Sequence, residues 1–298
     1  MKFRPLYLLI SGLALSLSIY SIFVWGFRPS IDFTGGAVAE YRFSAPVAPE
    51  LLKTVLALQA KEYEYQDMAS LGDKNIQLRF GPEFTQEKAE VLALAIGGAF
   101  AEKPEVVRFE IVGPAFSKEI LNKTYIAIAI ASLGILLWVA FQFRSIKFGI
   151  CAILAMLHDT TVLLGTFAIL GHYKGVEVDI LFVTAMLTVL SFSVHDTIVV
   201  YDRIRESARR LGDLPFEKLV NKAVSETMVR SVNNSLTIIF MLFALFLMGG
   251  ASIKWFVFAL LVGTISGTYS SPFVAVPLLA TWEEIRGWLR THRIGPNR

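Results

Sequence analysis

Charge and cysteine are both scarce in this sequence, and their scarcity narrows the class of protein. Charged residues make up 18% of the 298 positions, whereas a soluble domain averages about 25%. Hydrophobic residues make up 54%, and the mean hydropathy is +0.56. This composition predicts a membrane protein. A single cysteine, Cys151, excludes a disulfide framework within the chain, and four scattered histidines indicate neither a metal site nor a cofactor.

Six long apolar runs are the main positive signal. A helix needs about 20 mostly apolar residues to cross the hydrocarbon core. The runs lie at roughly 6–25, 124–142, 147–170, 178–201, 232–249 and 253–281. The first could instead be a signal peptide, but its length and the lack of an A-x-A-like site after Trp25 favour a retained helix. In the sixth run, Pro272 and Pro277 predict tilt or a kink.

Lysine and arginine are unevenly distributed among the segments that join these runs. Segments on the side of the N-terminus, including 143–147, 202–230 and the C-terminal tail, carry 15 of them. The two short loops on the opposite side carry one each, Lys174 and Lys254. Because cytoplasmic loops are rich in these residues, we expect a multi-pass protein of the cell (inner) membrane with both termini cytoplasmic.

The segment predicted to lie outside has the pattern of a small α+β domain. Strand-like alternation occurs at 39–43, 63–65, 76–80 and 107–111, while 50–60 and 86–100 have helical spacing. Gly72-Asp73 predicts the turn between the two middle strands. The order βαββαβ predicts a ferredoxin-like domain. This domain has no histidine, cysteine or nucleophile motif, so a binding surface is its expected role.

The predicted fold class is an α-helical polytopic membrane protein with six transmembrane helices and a small α+β (ferredoxin-like, βαββαβ) extracytoplasmic domain. The expected divisions are a first transmembrane helix at 1–27, the extracytoplasmic domain at 28–118, a five-helix transmembrane bundle at 119–281 and a cytoplasmic tail at 282–298. Within the sixth helix, the pair Gly263-x-x-x-Gly267 predicts close helix packing.

Ionisable residues inside the apolar runs are the candidate functional groups, because a charge near the bilayer centre costs a few kcal/mol. Asp159, preceded by His158, lies about halfway along the third run. This pair either hydrogen-bonds a neighbouring helix or forms a proton or ion site. Asp196, preceded by His195, either reaches toward the membrane surface or is a protonatable group enclosed a turn or more inside it.

The fifth run opens with a polar stripe. Four residues spaced at i, i+3, i+4 and i+7 share one helix face: Arg230, Asn233, Asn234 and Thr237. Such a face is expected to contact protein or water and not lipid. A permanently charged arginine needs an anion, and Asp196 and Asp159 are the available ones. A site that exchanges this arginine for a proton is the two-state element that a proton-driven machine needs.

An ordered set of motifs carries a resemblance to a known family. The motifs are Asp32-Phe33-Thr34-Gly35-Gly36, Val112-Gly113-Pro114, His158-Asp159, the stretch from His195-Asp196 to Arg205-Glu206, and Gly249-Gly250. With this set the chain resembles, over essentially its whole length, the SecF family of bacterial protein translocase subunits. That family is related to SecD and to RND-type transporters.

The resemblance implies a subunit of the Sec export pathway. The implied partners are SecD, the SecYEG channel, a YajC-like subunit, unfolded secretory preproteins and the lipid bilayer, and no nucleic acid. The implied activity is not that of an enzyme: with SecD, the subunit uses the proton motive force to promote late translocation and release of secreted proteins. The family's relay residues fall on Asp196, Arg230 and Asp159. The supporting polar residues are expected to be His158, His195, Asn233, Asn234 and Thr237.

Two departures from the family pattern leave alternatives open. The family usually has asparagine where His195 stands, and a Thr-Ser-rich stretch where Ser231-Val232-Asn233-Asn234-Ser235 stands. Amides do not carry a proton as hydroxyl–water chains do, so sodium is an alternative coupling ion. An alternative function is one half of an RND-type small-molecule exporter. An intramembrane aspartyl protease built on Asp159 and Asp196 is disfavoured by Arg230 and by the histidine before each aspartate.

Overall fold

A computed structural model describes residues 3–59, 63–71, 74–100, 102–143, 145–211 and 214–293 of the chain. The helices are α1 (Arg4–Trp25), α2 (Ile31–Thr34), α3 (Pro49–Gln59), α4 (Gln86–Phe100), α5 (Pro114–Phe143), α6 (Ile146–Lys174), α7 (Ile180–Arg210), α8 (Phe216–Met248), α9 (Ala251–Ser270) and α10 (Val276–Arg293). The strands are β1 (Gly36–Arg42), β2 (Tyr65–Ser70), β3 (Asn75–Phe80) and β4 (Glu105–Val112). The predicted turn at Gly72-Asp73 and the tail beyond residue 293 lie outside the described residues.

Six helical segments in the described part of the chain are long and apolar enough to cross a membrane, so the prediction of six spans is confirmed. They are α1, α5, α6, α7, α8 and the joined segment Ser252–Arg286. Several extend past the predicted runs: α5 begins at Pro114, α8 begins at Phe216, and α10 continues into the predicted tail. Hydropathy detects only the apolar part of such a helix and not its polar ends. The domain limits at 118 and 281 stay predictions.

The chain divides into two compact units. One, here called the helical unit, comprises Met1–Val24, Ile128–Thr166 and Leu181–Arg298. The other, here called the sheet unit, comprises Trp25–Ala127 and Phe167–Ile180.

The sheet unit has the predicted ferredoxin-like arrangement. Its four strands form one antiparallel sheet in the order β2-β3-β1-β4, and α3 and α4 connect them in the sequence order βαββαβ. The central strands and the two helices contribute the buried apolar core, in which Tyr41, Leu52, Leu78 and Leu92 are fully enclosed. The Tyr41 hydroxyl donates to the Ala89 carbonyl of α4 at 3.1 Å.

The alternation predicted for β4 is broken by a β-bulge. The bulge lies opposite Glu40 and Tyr41, and it pairs Tyr41 with Val106 and not with Val107. Val106 therefore packs on the core together with Phe109. Ile111, near the end of the strand, is exposed. A single extra residue shifts the period-two pattern by one position, which sequence alternation alone does not reveal.

Close packing in the helical unit depends on glycine. A Cβ atom at Gly263 would lie 2.0 Å from Val189 Cγ2, so α9 approaches α7 at a distance that a larger residue does not permit. A Cβ atom at Gly165 would lie 2.3 Å from the Cβ of Ser18, so α6 and α1 are equally close. The predicted packing role of Gly263 is confirmed.

The sixth span is interrupted where its prolines lie. The α9 helix ends at Ser270, and Ser271–Ala275 forms a π-helical turn before α10 begins. Pro272 has no N–H group with which to continue an α-helical ladder, and π-helical turns are frequent at functional sites. Ser270 and Ser271, at this turn, are both fully buried.

Candidate functional site

Asp159 on α6 lies at the centre of a buried cluster of hydroxyl groups. The residue is 1% exposed. Its Oδ2 accepts hydrogen bonds from Ser193 Oγ of α7 and from Ser270 Oγ of α9, both at 2.6 Å. Its Oδ1 accepts one from Ser266 Oγ of α9 at 2.7 Å. One carboxyl group therefore ties three helices together.

His158 completes this cluster, as the sequence pair suggests. Its Nδ1 lies 3.1 Å from Asp159 Oδ1, and the ring is buried. Nε2 has no hydrogen-bond partner among the described residues. If Nδ1 carries the proton of a neutral imidazole, the aspartate accepts four hydrogen bonds, which is close to the capacity of a carboxylate.

Asp196 on α7 is also buried, but it has far fewer partners. It is 4% exposed. In the described part of the chain its hydrogen bond comes from Ser231 Oγ on α8, at 3.1 Å from Oδ2. Most of its acceptor capacity is unused, and a charged group in that condition is costly to keep in a dry environment. Of the two intramembrane aspartates, Asp196 is therefore the better candidate for proton exchange.

The expected pairing of Asp196 with Arg230 is not present within the chain. Arg230 is exposed, and the ion pairs of the described residues do not include one between the two. The three further members of the α8 polar stripe are exposed with it: Asn233, Asn234 and Thr237. On α7, His195 is likewise exposed although Asp196 beside it is buried. The stripe and His195 thus face outward from this chain.

The inward face of α8 carries serines. Ser231 is half-buried and Ser235 is fully enclosed. The two are one helical turn apart, so they share a face. Ser235 Oγ has no hydrogen-bond partner in the described ranges. The only side chain of α8 that contacts Asp196 through a described hydrogen bond is therefore a small hydroxyl and not the arginine.

Two further polar contacts attach α7 to the π-helical turn. Thr197 Oγ1 and Ser271 Oγ lie 3.1 Å apart. The Tyr201 hydroxyl donates to the Ala275 carbonyl at 2.7 Å, and its ring is fully buried. Both contacts are on the same helix as Asp196, and Thr197 is its immediate neighbour. They fix the part of α7 that carries the candidate proton site.

Sequence reasoning located the charged residues and missed the hydroxyl groups that hold them: Ser193, Thr197, Tyr201, Ser231, Ser266, Ser270 and Ser271. One signal for them is present in the sequence. Ser266 and Ser270 are four residues apart, on the helix whose Gly263 and Gly267 predict close contact with a neighbour. Small hydroxyls on such a face are placed to reach a polar group across the contact.

The two aspartates do not form a protease-like pair. Asp159 is bonded to hydroxyls of α7 and α9, and Asp196 to a hydroxyl of α8. No hydrogen bond joins the two carboxyl groups among the residues that the structure describes. An aspartyl protease dyad needs two carboxyl groups that share one proton.

Comparison with known proteins decides the family. The profile described as "Protein export membrane protein SecD/SecF, C-terminal" matches residues 93–285, and the "SecD/SecF GG Motif" matches residues 20–47. The chain belongs to the SecD/SecF family. A protein translocase subunit SecF from Thermobaculum terrenum is 44% identical, over 98% of this chain and 96% of the relative. The subunit of the same name from Anaerolinea thermophila is 35% identical, over 96% and 95%.

A solved structure of the SecD/SecF family has the same fold. The crystal structure of SecDF from Thermus thermophilus, described as a translocon-associated membrane protein, matches with a TM-score of 0.80 at 33% identity. The match covers 95% of this chain and 39% of that one, so this chain spans well under half of the SecDF protein. The resemblance to SecF and the fold class are confirmed. The relatives are named as protein translocase subunits, which does not favour a small-molecule exporter.

The matched GG motif has a structural basis. Gly35 and Gly36 join α2 to β1 and have φ values of 73° and 114°, which other residues rarely adopt. A Cβ atom at Gly36 would lie 2.6 Å from the Phe80 carbonyl oxygen of β3. The second glycine is thus required both by its backbone conformation and by the close approach of the neighbouring strand.

Proposed function

We propose that this SecF-family chain is an accessory subunit of the Sec export translocase. With a SecD-type partner, it uses the proton motive force to promote late translocation and release of secreted proteins. The observation that carries this proposal is the exposed stripe on α8, where Arg230 and Asn233 lie on the outward face of an otherwise apolar span. Lipid does not solvate such groups, so a second membrane protein is expected to cover them and to supply an anion for Arg230.

A SecD-type protein is the proposed occupant of that face. A relative from Thermus thermophilus is named protein translocase subunit SecDF, and this chain matches 37% of its length at 34% identity. The remainder of that protein is long enough to contain a second membrane half. The SecYEG channel, a YajC-like subunit and unfolded preproteins are the further partners that membership of the family implies. The excess of Lys and Arg on one side supports an inner-membrane location with cytoplasmic termini.

Asp196 is the proposed proton-exchanging group. When it is ionised, its charge attracts Arg230 toward it, and when it is neutral, Arg230 is left to the anion of the partner. The protonation state of Asp196 thus shifts the balance between two arrangements of the interface, one with Arg230 near Asp196 and one with Arg230 near the partner. Coupling requires such a shift. His195, next to Asp196 and exposed, is proposed to support proton entry. Asn233, Asn234 and Thr237 supply hydrogen bonds along the stripe.

The main role proposed for Asp159 is to anchor neighbouring helices. Its three serine hydrogen bonds and its contact with His158 leave little capacity for a further partner. It holds α6 and α9 against α7 so that Asp196 is presented at a fixed position. Its direct participation in the proton relay, with His158, stays a prediction.

The test uses inverted membrane vesicles that contain the chain, a SecD-type partner and the Sec channel. Asp196→Asn should lose gradient-dependent late translocation and still co-purify with the partner. The matched control is Asp202→Asn on the same helix, because Asp202 bonds Gln142 and Arg205 and its side chain is about half exposed. Some vesicles receive a proton gradient alone and others a sodium gradient alone, and the gradient that drives translocation identifies the coupling ion. If Asp196→Asn translocates as well as Asp202→Asn, the proposal is wrong.

A further inference from the structure

A second cluster of buried charges lies in the sheet unit. Its centre is Glu177, in the segment between α6 and α7, whose side chain is 15% exposed. Arg79 Nη2 of β3 donates to Glu177 Oε1 at 2.8 Å, and Gln77 Nε2 of the same strand donates to it at 3.2 Å. Arg28 Nε lies 3.9 Å from the same oxygen. One carboxylate thus contacts two guanidinium groups and an amide.

The two arginines extend this cluster to the neighbouring segments. Arg79 also donates to the Pro29 carbonyl at 2.8 Å, and Arg28 forms an ion pair with Asp67 of β2. Burial raises the pKa of the Glu177 carboxyl, while Arg79 and Arg28 lower it. Removing the charge of Glu177 would leave the largely enclosed Arg79 without its carboxylate and Arg28 with Asp67 alone, and the loss of a partner from a buried charge is destabilising.

Backbone hydrogen bonds also connect residues 28–32 with residues 177–180. This connection, together with the contacts of Glu177, is here called the joint. Two hydrogen bonds, of 2.8 and 2.9 Å, form a parallel bridge between Pro29 and Val178. Asp32, from the motif that precedes β1, accepts a hydrogen bond from the Ile180 N–H at 3.2 Å. Ile180 is the first residue of α7, where N–H groups lack a partner within the helix. Asp32 therefore caps the helix that carries Asp196.

We infer that Glu177 is a positioning residue that joins the sheet and the start of α7 into one mechanical body. The chain just before Glu177 also packs tightly on the sheet, because a Cβ atom at Gly175 would lie 2.9 Å from the Cβ of Ala69. From Ile180 the α7 helix is continuous through Asp196. Glu177 and its partners thus hold the first residue of α7 against the sheet during proton exchange. This inference rests on the proposed function of Asp196.

A disulfide across the parallel bridge tests whether the joint stays closed. In a Cys151→Ala background, Pro29→Cys and Val178→Cys place two thiols on directly bridged residues. Because the joint moves as one body, oxidation of this pair should leave gradient-dependent translocation unchanged. Translocation that is lost on oxidation and returns with reductant would overturn the inference, because it would show that the joint must open.

Charge reversal tests Glu177 itself. Glu177→Arg places a third cation against Arg79 and Arg28, and we expect gradient-dependent translocation to fall about tenfold. The oxidised disulfide should restore translocation, since a covalent bond replaces the ion pairs. Because a disulfide also stabilises the fold, rescue supports a positioning role only where Glu177→Arg assembles with its partner in the native amount before oxidation. Glu177→Gln removes the charge and keeps the shape of the side chain. It replaces Glu177→Arg in the test if the charge-reversed variant does not assemble with its partner. If neither variant changes translocation, or if the disulfide does not rescue an assembled variant, Glu177 is not a positioning residue.

Asp196→Asn in the same disulfide background separates this inference from the proposed function. It should stay inactive whether the pair is oxidised or reduced, because a closed joint does not replace a proton site. If Asp196→Asn is active while the disulfide still rescues Glu177→Arg, the proposed role of Asp196 fails and the joint stands. If Asp196→Asn is inactive and rescue fails, the joint fails and the proton site stands.

Discussion

Replacing Asp159 by asparagine removes the charged acceptor at the centre of the α6–α7–α9 cluster. In the native chain the carboxylate accepts hydrogen bonds from three serine hydroxyls and contacts His158. An amide has one acceptor oxygen, so at most two of these hydroxyls keep an acceptor, and none keeps a charged one. A hydrogen bond to a charged group contributes about 1.5–3 kcal/mol and a neutral one about 1 kcal/mol. The expected decrease in the free energy of unfolding is therefore about 2.5–7 kcal/mol.

Thermal unfolding of the purified chain in detergent measures this effect. For a chain of this size the decrease corresponds to an apparent Tm lower by about 4–11 °C. Asp202→Asn, at a half-exposed position of α7, is the matched control and should stay within about 2 °C of the native protein. Ser270→Ala should give an intermediate decrease that does not add fully to that of Asp159→Asn, because the two residues share one hydrogen bond. An Asp159→Asn variant as stable as the control would refute the reasoning.

Three other predictions concern packing, pH and the polar stripe. Gly263→Ala places its Cβ atom against Val189 and should lower stability by about 1–3 kcal/mol. Gly134→Ala, whose Cβ meets nothing within 4 Å, should not, and thermal unfolding compares the two. Burial raises the pKa of the Tyr41 hydroxyl, so its contribution to stability is present below the unfolded-state pKa of about 10 and is lost as the pH rises further. At pH 11 the loss is about 1.4 kcal/mol, and Tyr41→Phe should abolish this part of the alkaline decline in Tm. Arg230→Gln should reduce co-purification with a SecD-type partner, and an unchanged yield of the complex would contradict a partner-facing stripe.

The spans and the α+β domain follow from patterns that a sequence displays directly. Apolar runs of sufficient length are required by the thickness of the bilayer, and all six correspond to helices. Alternation and helical spacing, taken in order along the chain, predict the βαββαβ arrangement that the sheet order confirms. At Pro272 the chemistry of proline predicts an interruption, although not its form as a π-helical turn.

The sequence pattern does not determine how each helix is rotated about its own axis. Arg230, Asn233 and Asn234 define one face of α8, and the spacing alone does not show whether that face turns toward Asp196 or away from the chain. The structure turns it outward, because the smaller Ser231 and Ser235 fit the inward face. Which face packs inward depends on the volumes of side chains on neighbouring helices, and these become adjacent only in the folded chain.

The hydroxyl cluster around Asp159 is hidden from sequence reasoning for a related reason. Serine is common in membrane helices as a packing residue, so Ser193, Ser266 and Ser270 carry no individual signal. They converge on one carboxylate only because Gly263 brings α9 against α7. The charged residue is visible in the sequence, but the groups that satisfy it are recognised only in three dimensions.

Proton uptake by proteoliposomes tests the central claim most directly. The chain is reconstituted with a SecD-type partner, and a pH-sensitive dye inside the vesicles reports acidification under an imposed gradient. We predict uptake that requires both proteins, that is abolished by Asp196→Asn, and that is retained by Asp202→Asn. Equal uptake with Asp196→Asn and the control would contradict the assignment of Asp196 as the proton-exchanging group.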